Sequence, residues 1–89
     1  MTSRTVAVAS QVGLHARPAS VFTQAVLLSG MNVTLSRPGG EPQDARSILS
    51  VMGLAVKHGE AVELHADGPG SEQVLDELVT LLATDLDVD

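Results

Sequence analysis

The stretch GLHARPAS, residues 13–20, gathers the side chains of this chain whose types and spacing suit chemistry. His15 precedes Arg17 by two positions, and Pro18 follows at once. If a helix starts near Ala16, Pro18 lies in its first turn. A missing N–H costs nothing there, because the leading N–H groups of a helix have no internal acceptor. The backbone N–H groups of Ala16 and Arg17 then remain as donors, and the positive end of the helix dipole points at His15. Arg17 adds a full positive charge. The result is an anion site with an imidazole in it. A neutral imidazole can attack a phosphoryl group, and the phosphohistidine formed would be held by those donors and by Arg17.

Such a site needs elements that hold it. Residues 4–9, RTVAVA, alternate with period two and predict a strand. GLHARP reads as a turn, after which the spacing changes. Ala19, Phe22, Ala25, Val26 and Ser29 recur at helical intervals and predict a helix over about 16–28, with Gly30 as its stop. Residues 32–36 alternate again, and RPGG is a turn. EPQDA is expected to be a short extended segment at a sheet edge, since Pro42 cannot donate to a ladder. SILSVMGL, residues 47–54, predicts a short helix opening at Ser47. KHGE turns the chain into a strand at 61–66. Ser71 is the expected N-cap of a last helix, with Glu72 in its first turn. Val74, Leu75, Leu78, Val79, Leu82 and Leu86 form that helix's apolar stripe. Glu72, Asp76, Glu77, Asp85, Asp87 and Asp89 fall mostly off it as a solvated face. Acids at the tail oppose the dipole, so the last residues are expected to fray. The expected order is β-α-β-β-α-β-α. It describes an α+β open-faced sandwich, with a four-stranded antiparallel sheet covered on one face by helices.

Composition limits the function. The 89 residues are expected to form one domain, spanning 1–89. Phe22 is the only aromatic residue, so the core must be aliphatic. Without cysteine there is no disulfide or thiolate metal site, and no metal site is expected. A net charge of −6 with five scattered basic residues disfavours nucleic acid and anionic membrane surfaces as partners. No apolar run reaches the ~18 residues of a membrane span, and MTSRTVAV lacks the long apolar stretch of a secretory leader. A cytoplasmic monomer is expected.

The motif GLHARPAS, followed by RSILSVMGL at 46–54, resembles the HPr family, the histidine-containing phosphocarriers of the phosphoenolpyruvate-dependent sugar phosphotransferase system. The resemblance covers essentially the whole chain. It implies that His15, through Nδ1, accepts a phosphoryl group from phosphorylated Enzyme I and passes it to the EIIA domain of a sugar permease. It also implies that Arg17 stabilises the phosphate. Such a protein is a relay rather than an enzyme turning over a small substrate, and it needs no cofactor. Ser47 matches the serine that HPr kinase/phosphorylase modifies in some bacteria, a mark that slows phosphate uptake and can promote binding to a catabolite regulator. Ser47 equally suits a helix cap. Ala16, Ser20, Ile48, Leu49 and Met52 match the docking surface beside the histidine, with Leu49 and Met52 expected to be the exposed pair. Paralogues serving a nitrogen-related or dihydroxyacetone kinase branch would use the same site. A regulatory binding module without phosphohistidine would not need His15.

The sequence also departs from the family. Several relatives carry lysines on the first long helix, where this chain has Gln24 and Leu27, and Lys57 is its only lysine. His58, in a turn, and His65, in a strand, are not spaced as a helical metal pair and are expected to be surface or structural residues.

Overall fold

A computed structural model describes residues 2–11 and 13–84. Its elements are β1 (Thr2–Ala7), α1 (Ala16–Ser29), β2 (Val33–Ser36), β3 (Gln43–Asp44), α2 (Ile48–Gly53), β4 (Ala61–Ala66) and α3 (Ser71–Leu82). The strands form one sheet in the order β1-β4-β2-β3, and every neighbouring pair is antiparallel. This is the expected α+β sandwich with its helices on one face.

The period-two pattern decides which face is covered. Val6 pairs with Val62, while Leu64 and Ala66 of β4 pair with Leu35 and Val33 of β2. These side chains are buried together with Ala19, Phe22 and Val26 of α1, Val51 of α2, and Leu75, Leu78 and Leu82 of α3. Each Val, Leu or Phe side chain among them contributes about 1.5–3 kcal/mol when fully buried. The opposite face carries a cross-strand row of Ser3, His65, Thr34 and Asp44, with Thr5 beside Glu63. His65 therefore faces away from Leu64, as its place in the alternation required.

Helix ends follow local chemistry. Gly30 closes α1 in the left-handed region at φ 71°, donating its N–H to the Leu27 carbonyl. Ser47 caps α2, its hydroxyl accepting from the Ser50 N–H at 3.3 Å. Three expectations are corrected. Ser71 does not cap α3: it is the first helical residue, and Gly70 at φ 84° is the cap. The Ser71 hydroxyl is instead hydrogen-bonded to the Thr2 hydroxyl at 2.8 Å, tying α3 to β1. Second, β1 starts and ends two residues early. Beyond Ala7, Val8 donates to the Glu60 carbonyl and accepts from the Gly59 N–H, outside the regular ladder. Third, Met52 is half-buried against the core rather than exposed. Leu86 and the terminal acids Asp85, Asp87 and Asp89, with the expected fraying, lie outside the described residues.

Two carboxylates gain their partners on folding. The Arg46 side chain and N–H hold the Asp44 carboxyl below the usual range. The Lys57 N–H, and after it Arg37, do the same for Glu60. Groups with depressed folded values stabilise the protein above the ordinary carboxylate range and lose that contribution as pH falls through the folded values. Urea unfolding midpoints are therefore expected to fall between roughly pH 5 and pH 3, with a shallower fall in a Glu60→Gln, Asp44→Asn double variant. A fall of unchanged steepness in that variant contradicts the assignment.

Candidate functional site

Positioning of the site begins two residues before the histidine. Gly13 stands in the left-handed region at φ 73° and donates its N–H to the Ser10 carbonyl at 3.0 Å. A Cβ at this position would collide with the Val56 carbonyl oxygen and crowd the Lys57 backbone. Only glycine satisfies both the conformation and the space. Leu14 comes next, buried in the core, with its N–H donated to the Val56 carbonyl at 2.9 Å. The chain is pinned by side chain and backbone at Leu14, and the following residue points outward.

That residue is His15. It is exposed and occupies the N-cap of α1, with extended backbone at φ −86° and ψ −169°. Its carbonyl accepts the first bond of the helix, from Ala19 at 2.8 Å. The imidazole makes no capping bond, so capping does not engage the ring nitrogens. Ala16 and Arg17 are exposed in the first turn. Pro18 is buried at the third helical position, where its absent N–H would have no acceptor in the helix. The sequence-level arrangement of imidazole, helix start and arginine is thus present at the surface. The first turn contains no acid, so nothing there offsets the positive end of the dipole.

The short helix α2 packs against α1. Of the apolar candidates on it, Leu49 is 80% exposed and Ile48 is 36% exposed. Ser47 and Ser20 are half-buried. Sequence reasoning did not single out the exposed apolar side chains of α1. On α1, Val21, Leu27 and Leu28 are also exposed, Leu28 to 89%. The signal was available: Arg17, Val21, Gln24 and Leu28 follow one another at helical spacing, off the stripe that contains Phe22 and Val26. The helices α1 and α2 carry a single charged side chain between them, Arg17, although the chain has eleven acids.

Neither of the other histidines belongs to the helix start, although His58 contacts the Ser10 carbonyl that also accepts the Gly13 N–H. The Nδ1 of His58 is 3.1 Å from the Ser10 carbonyl. His65 sits on the outer face of the sheet, beside a cleft lined by Met31, Asn32, Thr34 and Pro69 at the far end of α1 from His15. Among the described residues no three His, Asp or Glu side chains gather in a way that could hold a metal ion. No helix among them is long and apolar enough to cross a membrane.

The chain is similar to known proteins. The family model described as the PTS HPr component phosphorylation site matches residues 2–84. The phosphocarrier protein HPr of Streptomyces coelicolor is 41% identical over 87 residues, covering 98% of this chain and 94% of its own length. That of Haloferax volcanii is 43% identical over 82 residues, covering 91% of this chain and 92% of its own. In three dimensions the chain is similar to an HPr from Thermoanaerobacter tengcongensis, with a TM-score of 0.89, 29% identity, and coverage of 100% and 99% of the two chains. A phosphocarrier protein HPr from Bacillus anthracis gives a TM-score of 0.84 at 27% identity, with coverage of 91% and 95%. With the histidine at the helix start and the sheet order both in place, the chain belongs to the HPr family of phosphocarrier proteins.

Proposed function

We propose that this phosphocarrier takes a phosphoryl group onto Nδ1 of His15 from phosphorylated Enzyme I and delivers it to the EIIA domain of a sugar permease. The observation that carries the reading is the exposed imidazole at the N-cap of α1, not engaged in capping, in a chain of this family. On uptake the lone pair of the ring nitrogen forms a bond to phosphorus as the donor's bond to phosphorus breaks. On delivery the same N–P bond breaks toward the acceptor. No water is consumed in either step. The positive helix end and Arg17 face the charge of the transferring group. Backbone donors at Ala16 and Arg17 suit its equatorial oxygens. A carrier must release as readily as it accepts, which fits an open surface site better than an enclosing one.

Docking falls to the surface around the histidine: Ala16, Ser20, Ile48, Leu49 and the accessible part of Met52. The exposed apolar side chains of α2, which packs against α1, support this, since such patches on small proteins serve contact with partners. Ser47 caps α2 and is also proposed as a regulatory phosphorylation site for an HPr kinase/phosphorylase. A phosphate there would sit at a helix start on the docking surface and add negative charge where the partner approaches.

Incubation with Enzyme I and radiolabelled phosphoenolpyruvate tests the acceptor. Acid-labile, base-stable label is expected on wild type and none on His15→Ala; a folded wild type that takes no label from an active Enzyme I contradicts the reading. For the docking surface, Leu49→Glu is expected to slow phosphorylation about tenfold or more, since a charge there is desolvated at an apolar contact. Its urea midpoint is expected to stay near that of wild type, because the side chain is 80% exposed. An unchanged rate removes Leu49 from the surface. Ser47→Ala is expected to cost about 1 kcal/mol of stability through the lost cap, read from the same unfolding curves.

A further inference from the structure

A residue remote from the histidine in sequence reaches the loop that pins it. Arg37 stands at the end of β2, where the chain turns through Pro38 and Gly39, and its carbonyl accepts from the Gly40 N–H at 2.8 Å. Its guanidinium extends across to the segment between α2 and β4. Nη2 donates to the carbonyls of Leu54 at 2.9 Å and Ala55 at 3.0 Å. The same group contacts the Glu60 carboxylate, from Nη1 at 3.2 Å and from Nη2 at 3.4 Å. Glu60 Oε1 in turn accepts the Lys57 N–H at 2.7 Å. One arginine and one glutamate thus engage backbone groups of Leu54, Ala55 and Lys57.

What they hold is a strained backbone. Ala55 has φ 53°, and it is the one non-glycine residue in the left-handed region among those described. The Cβ of an L-residue crowds the carbonyl in that conformation, so surrounding bonds must maintain it. The next residue is Val56, buried in the core. Its carbonyl accepts the Leu14 N–H and leaves no space for a side chain at Gly13. A relaxation of Ala55 toward negative φ would rotate the peptide units that follow and move that carbonyl. The path runs from the Arg37 guanidinium to the Ala55 carbonyl, to the Val56 carbonyl, to the Leu14 N–H, and so to His15.

We infer that Arg37 is a positioning residue for phosphoryl transfer: it holds the left-handed turn at Ala55 whose neighbour, Val56, anchors the loop that presents His15. The functional half of this inference rests on the proposed role of His15; the clamp itself does not. Arg37 is 41% exposed and its pair with Glu60 is a surface ion pair, for which little global stability is expected. Its effect is expected to be local.

The test compares wild type, Arg37→Met, Arg37→Lys, Ala55→Gly and the Arg37→Met, Ala55→Gly double variant. Three quantities are read: the rate of phosphorylation by Enzyme I, the hydrogen exchange of the Leu14 amide by NMR, and the urea midpoint. In Arg37→Met, phosphorylation is expected to slow about fivefold to tenfold and Leu14 exchange to quicken about tenfold. Arg37→Lys keeps the charge but loses the fork of donors, so it is expected to fall between that variant and wild type. In the double variant most of both losses are expected to be recovered, because glycine adopts the left-handed conformation unaided. A mere surface ion pair would show no such rescue. Rates and exchange within about twofold of wild type in Arg37→Met overturn the inference, and so does a loss that Ala55→Gly leaves untouched. If Arg37→Met does not fold, Arg37→Lys with and without Ala55→Gly decides by the same criteria. A wild type that takes no label sinks the transfer role of both residues, while Leu14 exchange still decides whether the clamp exists.

Discussion

The hydrogen bond from the Leu14 N–H to the Val56 carbonyl joins the two halves of the chain at the point where the loop that presents His15 leaves the core. It imposes conditions on both sides. Upstream, the close approach restricts position 13 to glycine. Downstream, it requires the Val56 carbonyl to face the first loop, and Ala55 takes up a left-handed conformation just before it. Leu14 adds its side chain to the core, so the loop is held in two independent ways. The exposure of His15 follows. A residue next to a doubly anchored, buried leucine and at the start of a helix has solvent as its remaining direction.

The surface around that histidine differs in character from the rest of the molecule. Acids line the outer side of the sheet and α3, among them Glu63, Asp76 and Glu77, while α1 and α2 present apolar side chains and the lone charge of Arg17. Among the described residues these acids lie off the two helices that flank His15. For a carrier of negatively charged phosphoryl groups this separation is useful. Carboxylates close to His15 would repel the phosphoryl group proposed to reside there. Solubility can come from the acidic side while contact is made by the apolar one.

The architecture could be read from the sequence because its determinants are local. Alternation of Val33 with Leu35 and of Val62 with Leu64 marked strands, the spacing of Ala19, Phe22 and Val26 marked α1, and Gly30 and Ser47 marked helix ends where they occur. The placement of His15 and Arg17 at an exposed helix start was legible for the same reason, since a helix start is written in consecutive residues. Failures came where a distant partner decided the outcome. Ser71 has a capping residue's chemistry, yet its hydroxyl is bonded to Thr2, 69 positions away. Met52 shares a helix with Leu49, but the neighbouring core half-covers it. Arg37 read as part of a turn, since nothing in RPGG shows that its side chain crosses to Leu54 and Ala55.

The pairing of β1 has a consequence for the life of the chain on the ribosome. Among the strands, β1 has a single neighbour, β4, which is the last to be made. Its remaining ties run to α3, through Thr2 to Ser71 and Arg4 to Asp76, 69 and 72 positions apart. Contacts so far apart in sequence form late, so β1 takes its place only after β4 and α3 are available. The carbonyl of Val56 that anchors Leu14 belongs to the same late segment. A chain that ends before Val56 carries the whole GLHARPAS stretch without the carbonyl that anchors it.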